Sequence, residues 1–213
     1  AKPYTANVCI QDGKIAKITT DAVSGTETLD VSGLAVAPGF IDLHSHSDAS
    51  PLMDYAVESK IAQGVTTEIV GNCGISILPA TPERIGEIEE YITSQLELPV
   101  YGKKVAQMSV TDYARAVKEH GASTNYGVLV GHGTLRLAVM GFVNRAPSEE
   151  EMEQLKALLD RELSSGAFGM SLGLIYPPSA FSAKEDLIEL AKVIKKHDGI
   201  LSVHMRSEGP KIF

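Results

Sequence analysis

The sequence predicts an α/β fold in which a parallel sheet with helical crossovers follows a small antiparallel β-sheet. Two observations carry this prediction. Residues 1 to about 38 hold short apolar runs around turn pairs, whereas from Gly39 onward strand-like runs alternate with helix-like ones. In the first part, Val8–Ile10 and Lys14–Ile18 flank Asp12-Gly13, and glycine tolerates the positive φ that a tight hairpin needs. Leu29 and Val31, then Ser32-Gly33, then Leu34 and Val36 repeat the pattern and predict a second hairpin. The expected division is therefore 1–38 as a small β domain, part of a β-sandwich, and 39–213 as the α/β part.

Within 39–213 the predicted strands are Phe40–His44, Thr66–Val70, Tyr126–Val130, Ala167–Leu172 and Ile200–His204. Helices are expected between them. Ser148 followed by Glu151 forms a capping box ahead of Leu155, Leu158, Leu159 and Leu163, with Gly166 as a stop. Ser182 and Glu185 repeat it ahead of Leu187, Leu190 and Ile194, closing at Gly199. Thr111 to Gly121 is a third helix. Thr81-Pro82 opens a fourth, charged one through about Leu96, expected on the surface as an insertion. Parallel strands with crossovers allow a doubly wound sheet or a (β/α)8 barrel. The roughly 175 residues after Gly39 fall short of the ~250 of a complete barrel.

Composition narrows the function classes. A net charge of -8 over 213 residues, with a pI near 5.2, argues against non-specific nucleic-acid binding, which needs Lys and Arg to neutralise phosphates. No apolar run approaches the roughly 20 residues of a membrane span, and the N-terminal segment lacks the pattern of a secretory signal. Two cysteines, Cys9 and Cys73, are no disulfide framework, so a reducing cytoplasm is the expected compartment.

Three stretches carry chemistry. In "APGFIDLHSHSD", His44 and His46 stand at i and i+2, which on a strand project from one face and suit chelation of Zn²⁺. Taken alone, such a pair is as often a solvated strand end. In "TTEIVGNCGIS", Cys73 follows a strand between Gly71 and Gly74; a thiolate there is a strong zinc ligand, while a lone cysteine is more commonly a buried structural residue. In "ILSVHMRSEG", His204 ends the fifth run, at the same predicted rim as the first pair. Cys9, in an alternating strand, reads as structural.

"ANVCIQDGKIAKI" followed by "GLAVAPGFIDLHSHSD" resembles the N-terminal signature of the amidohydrolase superfamily. "TTEIVGNCGIS", "GHGTLR", "SSGAFGMSLGLIYPP" and "VHMRSEG" resemble its N-acyl-D-amino-acid deacylase (D-aminoacylase) branch. The resemblance implies an incomplete (β/α)8, TIM-like barrel with about five strands present. It also implies a zinc-dependent hydrolase, with one or two Zn²⁺, that cleaves the amide of a small N-acyl-D-amino acid. His44, His46, Cys73 and His204 match the family's metal ligands. Many superfamily members use a carboxylated lysine on strand four; "AFGMSLG" offers none, and Cys73 takes its place as the anionic ligand. Tyr176 matches a tyrosine expected at the substrate carboxylate, and its alternative is a loop aromatic packed beside Pro177 and Pro178. His132, Arg136, Asp48, Arg206 and Glu208 are rim candidates of lower rank. No catalytic residue is expected in this chain, because the family's general-base aspartate and a further histidine ligand would lie beyond Phe213. The chain alone is therefore expected to be inactive and open to association through an unpaired barrel edge. Two other readings stand beside this one, a dihydropyrimidinase-like cyclic-amide hydrolase and a non-catalytic metal-binding scaffold.

Overall fold

A computed structural model describes residues 2–53, 59–96 and 109–209. The chain divides into two compact units, Ala1–Pro38 and Gly39–Phe213. In the first, β1 (Asn7–Gln11) and β2 (Lys14–Thr19) pair antiparallel, with a register shift between Cys9 and Ile10. The turn places Asp12 and Gly13 at φ 52° and 70°, the left-handed geometry anticipated from the Asp-Gly pair. The second expected hairpin does not form. Residues 20–38 contain no strand, and Leu29, Leu34 and Val36 stay exposed. Leu34 N–H donates to Val31 O in an isolated turn. Alternating apolar residues specify a strand only when a facing layer buries them, and no described residue does so here.

The second unit is a five-stranded parallel half-barrel in the order β3-β4-β5-β6-β7. Its strands are β3 (Phe40–Asp42), β4 (Val65–Val70), β5 (Asn125–Gly131), β6 (Gly169–Gly173) and β7 (Ile200–His204). All four neighbouring pairs run parallel. Sequential strands are thus spatial neighbours throughout, the winding of a barrel rather than of a doubly wound sheet.

The helices are α1 (Ile85–Leu96), α2 (Val110–His120), α3 (His132–Met140), α4 (Glu149–Ser164) and α5 (Lys184–Lys196). Ser148 and Glu151 make the anticipated capping box: Glu151 N–H donates to Ser148 Oγ at 3.1 Å, and Ser148 N–H to Glu151 Oε2 at 2.8 Å. The α5 cap shifts by one residue. Ser182 Oγ is taken by Arg136 at 3.2 Å, so Ala183 becomes the N-cap and donates its N–H to Asp186 at 3.1 Å. Ser109 caps α2 and Gly121 ends it.

Two helices depart from expectation. The helix opened by Thr81-Pro82 begins as a 3-10 turn and becomes α1, which is not a peripheral insertion: Ile88, Tyr91 and Ile92 are all buried in the core. The surface expectation rests on its charges, Glu87, Glu89 and Glu90, although Ile88, Tyr91 and Ile92 stand at helical spacing beside them. Helix α3 was not anticipated. It has no side-chain N-cap, and all its residues but Val139 are buried, so it lacks the one-sided periodicity that reveals a helix.

Candidate metal centre

The site lies at the C-terminal ends of the strands. β3 is shorter than predicted, ending at Asp42, and His44 and His46 stand just beyond it. The Asp42 carboxylate accepts the His44 N–H at 3.1 Å, which removes that donor from the ladder. The following segment still tracks β4, because Ser45 N–H donates to Ile69 O at 3.1 Å.

Cys73 is delivered by the turn after β4. Gly71 adopts φ 78°, and a Cβ there would come 2.0 Å from Leu129 O, so only glycine fits. Cys73 itself sits at φ 55°, a conformation that a non-glycine residue adopts only when its surroundings hold it. Several contacts do so. Ser171 on β6 donates to Gly71 O at 2.5 Å and accepts Gly74 N–H at 2.9 Å. Asn72 Nδ2 donates to Ile69 O at 2.9 Å. Gly133 N–H, at the start of α3, donates to Gly74 O at 2.8 Å. A Cβ on Gly173 would lie 1.8 Å from Cys73 O, so β6 presses against the turn from the other side.

These elements bring three donors together. One ligand atom each from His44, His46 and Cys73 lie within 4.8 Å of one another, and Cys73 Sγ is 3.4 Å from His44 Nε2. Two imidazoles and one thiol are a borderline-soft set that suits Zn²⁺. Burial and the neighbouring His44 and His204 rings push His46 below its ordinary pKa, which keeps it neutral and able to coordinate. Burial pushes the Cys73 thiol up. A bound cation reverses that preference and takes the thiolate.

His204 ends β7 as predicted but stands outside this three-donor group among the described residues. Its ring stacks edge-on against Tyr176 at 4.9 Å, and its Nε2 is 3.2 Å from Glu208. Tyr176 is half-buried, which joins two of the predicted residues at one rim.

The lower-ranked candidates separate clearly. His132 is 1 % exposed, pairs with Ser179 Oγ at 2.6 Å, and burial with the nearby Arg136 charge holds its pKa down at about 3. Arg136 is equally buried and donates to Ser182 Oγ, Val143 O and Arg145 O. Both are built into the core rather than presented at the rim. Arg206 donates to Ala180 O at 2.8 Å and Ser182 O at 3.0 Å, holding the loop after Tyr176. Asp48 is buried behind the histidine segment, and that burial pushes its carboxyl up to about 7.

Sequence reasoning missed a polar cluster under the histidine segment, namely Glu68, Lys60, Asp42 and Thr124. The signal was present: Glu68 is the one charge inside an otherwise uncharged parallel strand, "VTTEIV".

No family model matches the chain. Individual proteins do match it along almost its whole length. The D-aminoacylase of Alcaligenes xylosoxydans xylosoxydans is 39% identical over 212 residues, covering 97% of this chain and 42% of that protein. The N-acyl-D-glutamate deacylase of Bordetella bronchiseptica, solved with zinc and a phosphonate mimic of the tetrahedral intermediate, superposes with a TM-score of 0.88 at 33% identity. The chain's homologues and structural neighbours include the N-acyl-D-amino-acid deacylases. A D-aminoacylase structure described as having a binuclear metal centre superposes with a TM-score of 0.86 at 36% identity, covering all of this chain and 44% of that one. The chain thus spans less than half the length of the deacylases it matches.

Proposed function

We propose that the protein carrying this chain hydrolyses the amide bond of an N-acyl-D-amino acid, giving a D-amino acid and a carboxylate, with one or two Zn²⁺ at this site. The observation that carries the reading is the convergence of His44, His46 and Cys73 within 4.8 Å. His204 would complete the protein ligands after turning away from Glu208. Bound zinc lowers the pKa of a coordinated water and polarises the acyl oxygen. The chain's own residues supply the rest of this half-site. The glycine-bracketed turn aims Cys73, the neutral His46 is ready to bind, and Tyr176 stands beside His204 to donate to the substrate carboxylate.

The aspartate that takes up the water's proton and returns it to the leaving amine would come from the part of the family fold that this chain does not span. Phe40 and Ile41 on β3 and Val203 on β7 are exposed apolar side chains on the outer strands, where three further barrel strands would pack. The 1–38 unit would join further strands in a β-sandwich. With Cys9 and Cys73 both free, a reducing cytoplasm is the compartment we propose. No described helix is long and apolar enough to cross a membrane.

The test is hydrolysis of N-acetyl-D-methionine and its L-enantiomer by the zinc-loaded full-length protein. Turnover of the D form alone, abolished by a chelator, is expected; zinc-loaded protein that leaves both enantiomers intact would sink the reading. Cys73→Ala is expected to lower zinc affinity by about 100-fold, measured by competition with a chromogenic chelator. Unchanged affinity would remove Cys73 from the ligand set.

A further inference from the structure

Glu68 lies on β4 with its side chain 1 % exposed, yet it serves none of the roles assigned so far. Its two oxygens are fully engaged. Oε2 accepts from Ser47 Oγ at 2.5 Å and Ser45 Oγ at 3.0 Å, and Oε1 accepts from Thr124 Oγ1 at 2.9 Å. Lys60 Nζ is 3.7 Å from Oε2 and also bonds to Asp42, whose other oxygen accepts the His44 N–H. The two serine hydroxyls are themselves 2.8 Å apart.

Ser45 and Ser47 alternate with His44 and His46. Both serine hydroxyls turn inward to Glu68, whereas His44 is exposed and its ring lies beside that of His46. A single carboxylate oxygen that accepts from both serines therefore fixes the pitch of the segment on one face, and with it the separation of the imidazoles on the other. Those rings stand 5.4 Å apart at an interplanar angle of 75°. The segment has already left the regular ladder at Asp42, so few backbone bonds remain to hold it. Hydrogen bonds to an ionised carboxylate are shorter and stronger than neutral ones, and they suit this task.

We propose that Glu68 is a positioning residue for the His44–His46 pair, acting through Ser45 and Ser47 to set the bite of the metal site. The device works entirely behind the ligands: it touches neither the metal nor the substrate. It rests on the reading of His44 and His46 as ligands.

The protonation state agrees. Burial alone would push Glu68 up, but the donors Ser47, Thr124 and Ser45 and the Lys60 charge outweigh it, leaving the carboxyl below its ordinary value and ionised at neutral pH.

The experiment measures zinc affinity by chelator competition and the d–d spectrum of the cobalt-substituted full-length protein. Glu68→Gln is expected to lower zinc affinity by about 10-fold and to shift the cobalt bands. Ser45→Ala combined with Ser47→Ala should do the same, and adding both to Glu68→Gln should cost little more, since all three act through one contact. Glu162→Gln supplies the reference for destabilisation alone. Glu162 is an equally buried carboxylate that accepts Val110 N–H at 2.8 Å, and its replacement should leave the cobalt spectrum unmoved. A folded Glu68→Gln protein with wild-type zinc affinity and spectrum overturns the proposal; if that variant does not fold, the paired serine variant decides in the same way. A wild-type protein that binds neither ion overturns the metal-site reading itself, an outcome distinct from the first.

Discussion

The 44–48 segment and the 132–136 segment are both short, polar and placed just after a strand, and they end in opposite roles. The first presents His44 to solvent and brings His46 and Cys73 beside it. The second seals His132 and Arg136 into the core, each 1 % exposed. Histidine and arginine at a strand end do not by themselves mark a site; what surrounds the polar atoms decides. In the first segment the imidazoles stand edge-on to one another and beside a thiol, and no other described residue is hydrogen-bonded to their rings. In the second, the partners are the hydroxyls of Ser179 and Ser182 and the backbone carbonyls of Val143 and Arg145.

The largest expected effect is at Arg136. Replacing it with Ala removes the buried donor to Val143 O, Arg145 O and Ser182 Oγ and leaves a cavity, at a cost of about 3 kcal/mol or more. Urea unfolding measures this, and the fraction that remains folded should bind zinc normally. A mild loss of stability with lost zinc would place Arg136 in the site and break the comparison.

His132 should make stability depend on pH. Its folded pKa is depressed to about 3 against 6.5 for the free side chain. The unfolded chain therefore binds the proton first. The contribution is fully present above about pH 6.5 and falls as the pH drops towards 3, by about 2 kcal/mol on reaching pH 5. Replacing His132 with Asn should flatten that slope in urea titrations at several pH values; an unaltered slope would show that His132 is not held neutral.

The smallest expected effect on stability is at His44. Because it is exposed, His44→Ala should change metal-free stability by no more than about 0.5 kcal/mol. It should nevertheless abolish the rise in melting temperature that added zinc gives the wild type. A zinc-induced rise equal to that of the wild type would remove His44 from the ligand set and erase the contrast between the two segments.

Much of this was legible in the sequence, for identifiable reasons. β7 falls where its apolar run predicts, and α4 begins at the Ser148–Glu151 box, because strand runs and caps are local signals. The expected hairpin at Leu29–Val36 did not form, because alternation without a facing layer specifies nothing. Helix α3 escaped notice because a helix buried on nearly every side has no polar stripe to betray its period. Three of the four expected ligands come together, whereas His204 is turned towards Tyr176 and Glu208. Spacing along a strand says which rim a side chain reaches but not which rotamer it takes there.

The sequence by itself determined the inventory: an H-x-H pair after an apolar run, a cysteine bracketed by glycines, and strands that alternate with capped helices. These depend on contacts a few residues long, which composition and period encode directly. Only the tertiary structure decided which polar groups meet. Cys73 reaches His44 across 29 positions of sequence, and Glu68 reaches Ser45 across 23. Those meetings are set by strand register and by close backbone approaches at Gly71 and Gly173, where a single Cβ would push the layers apart.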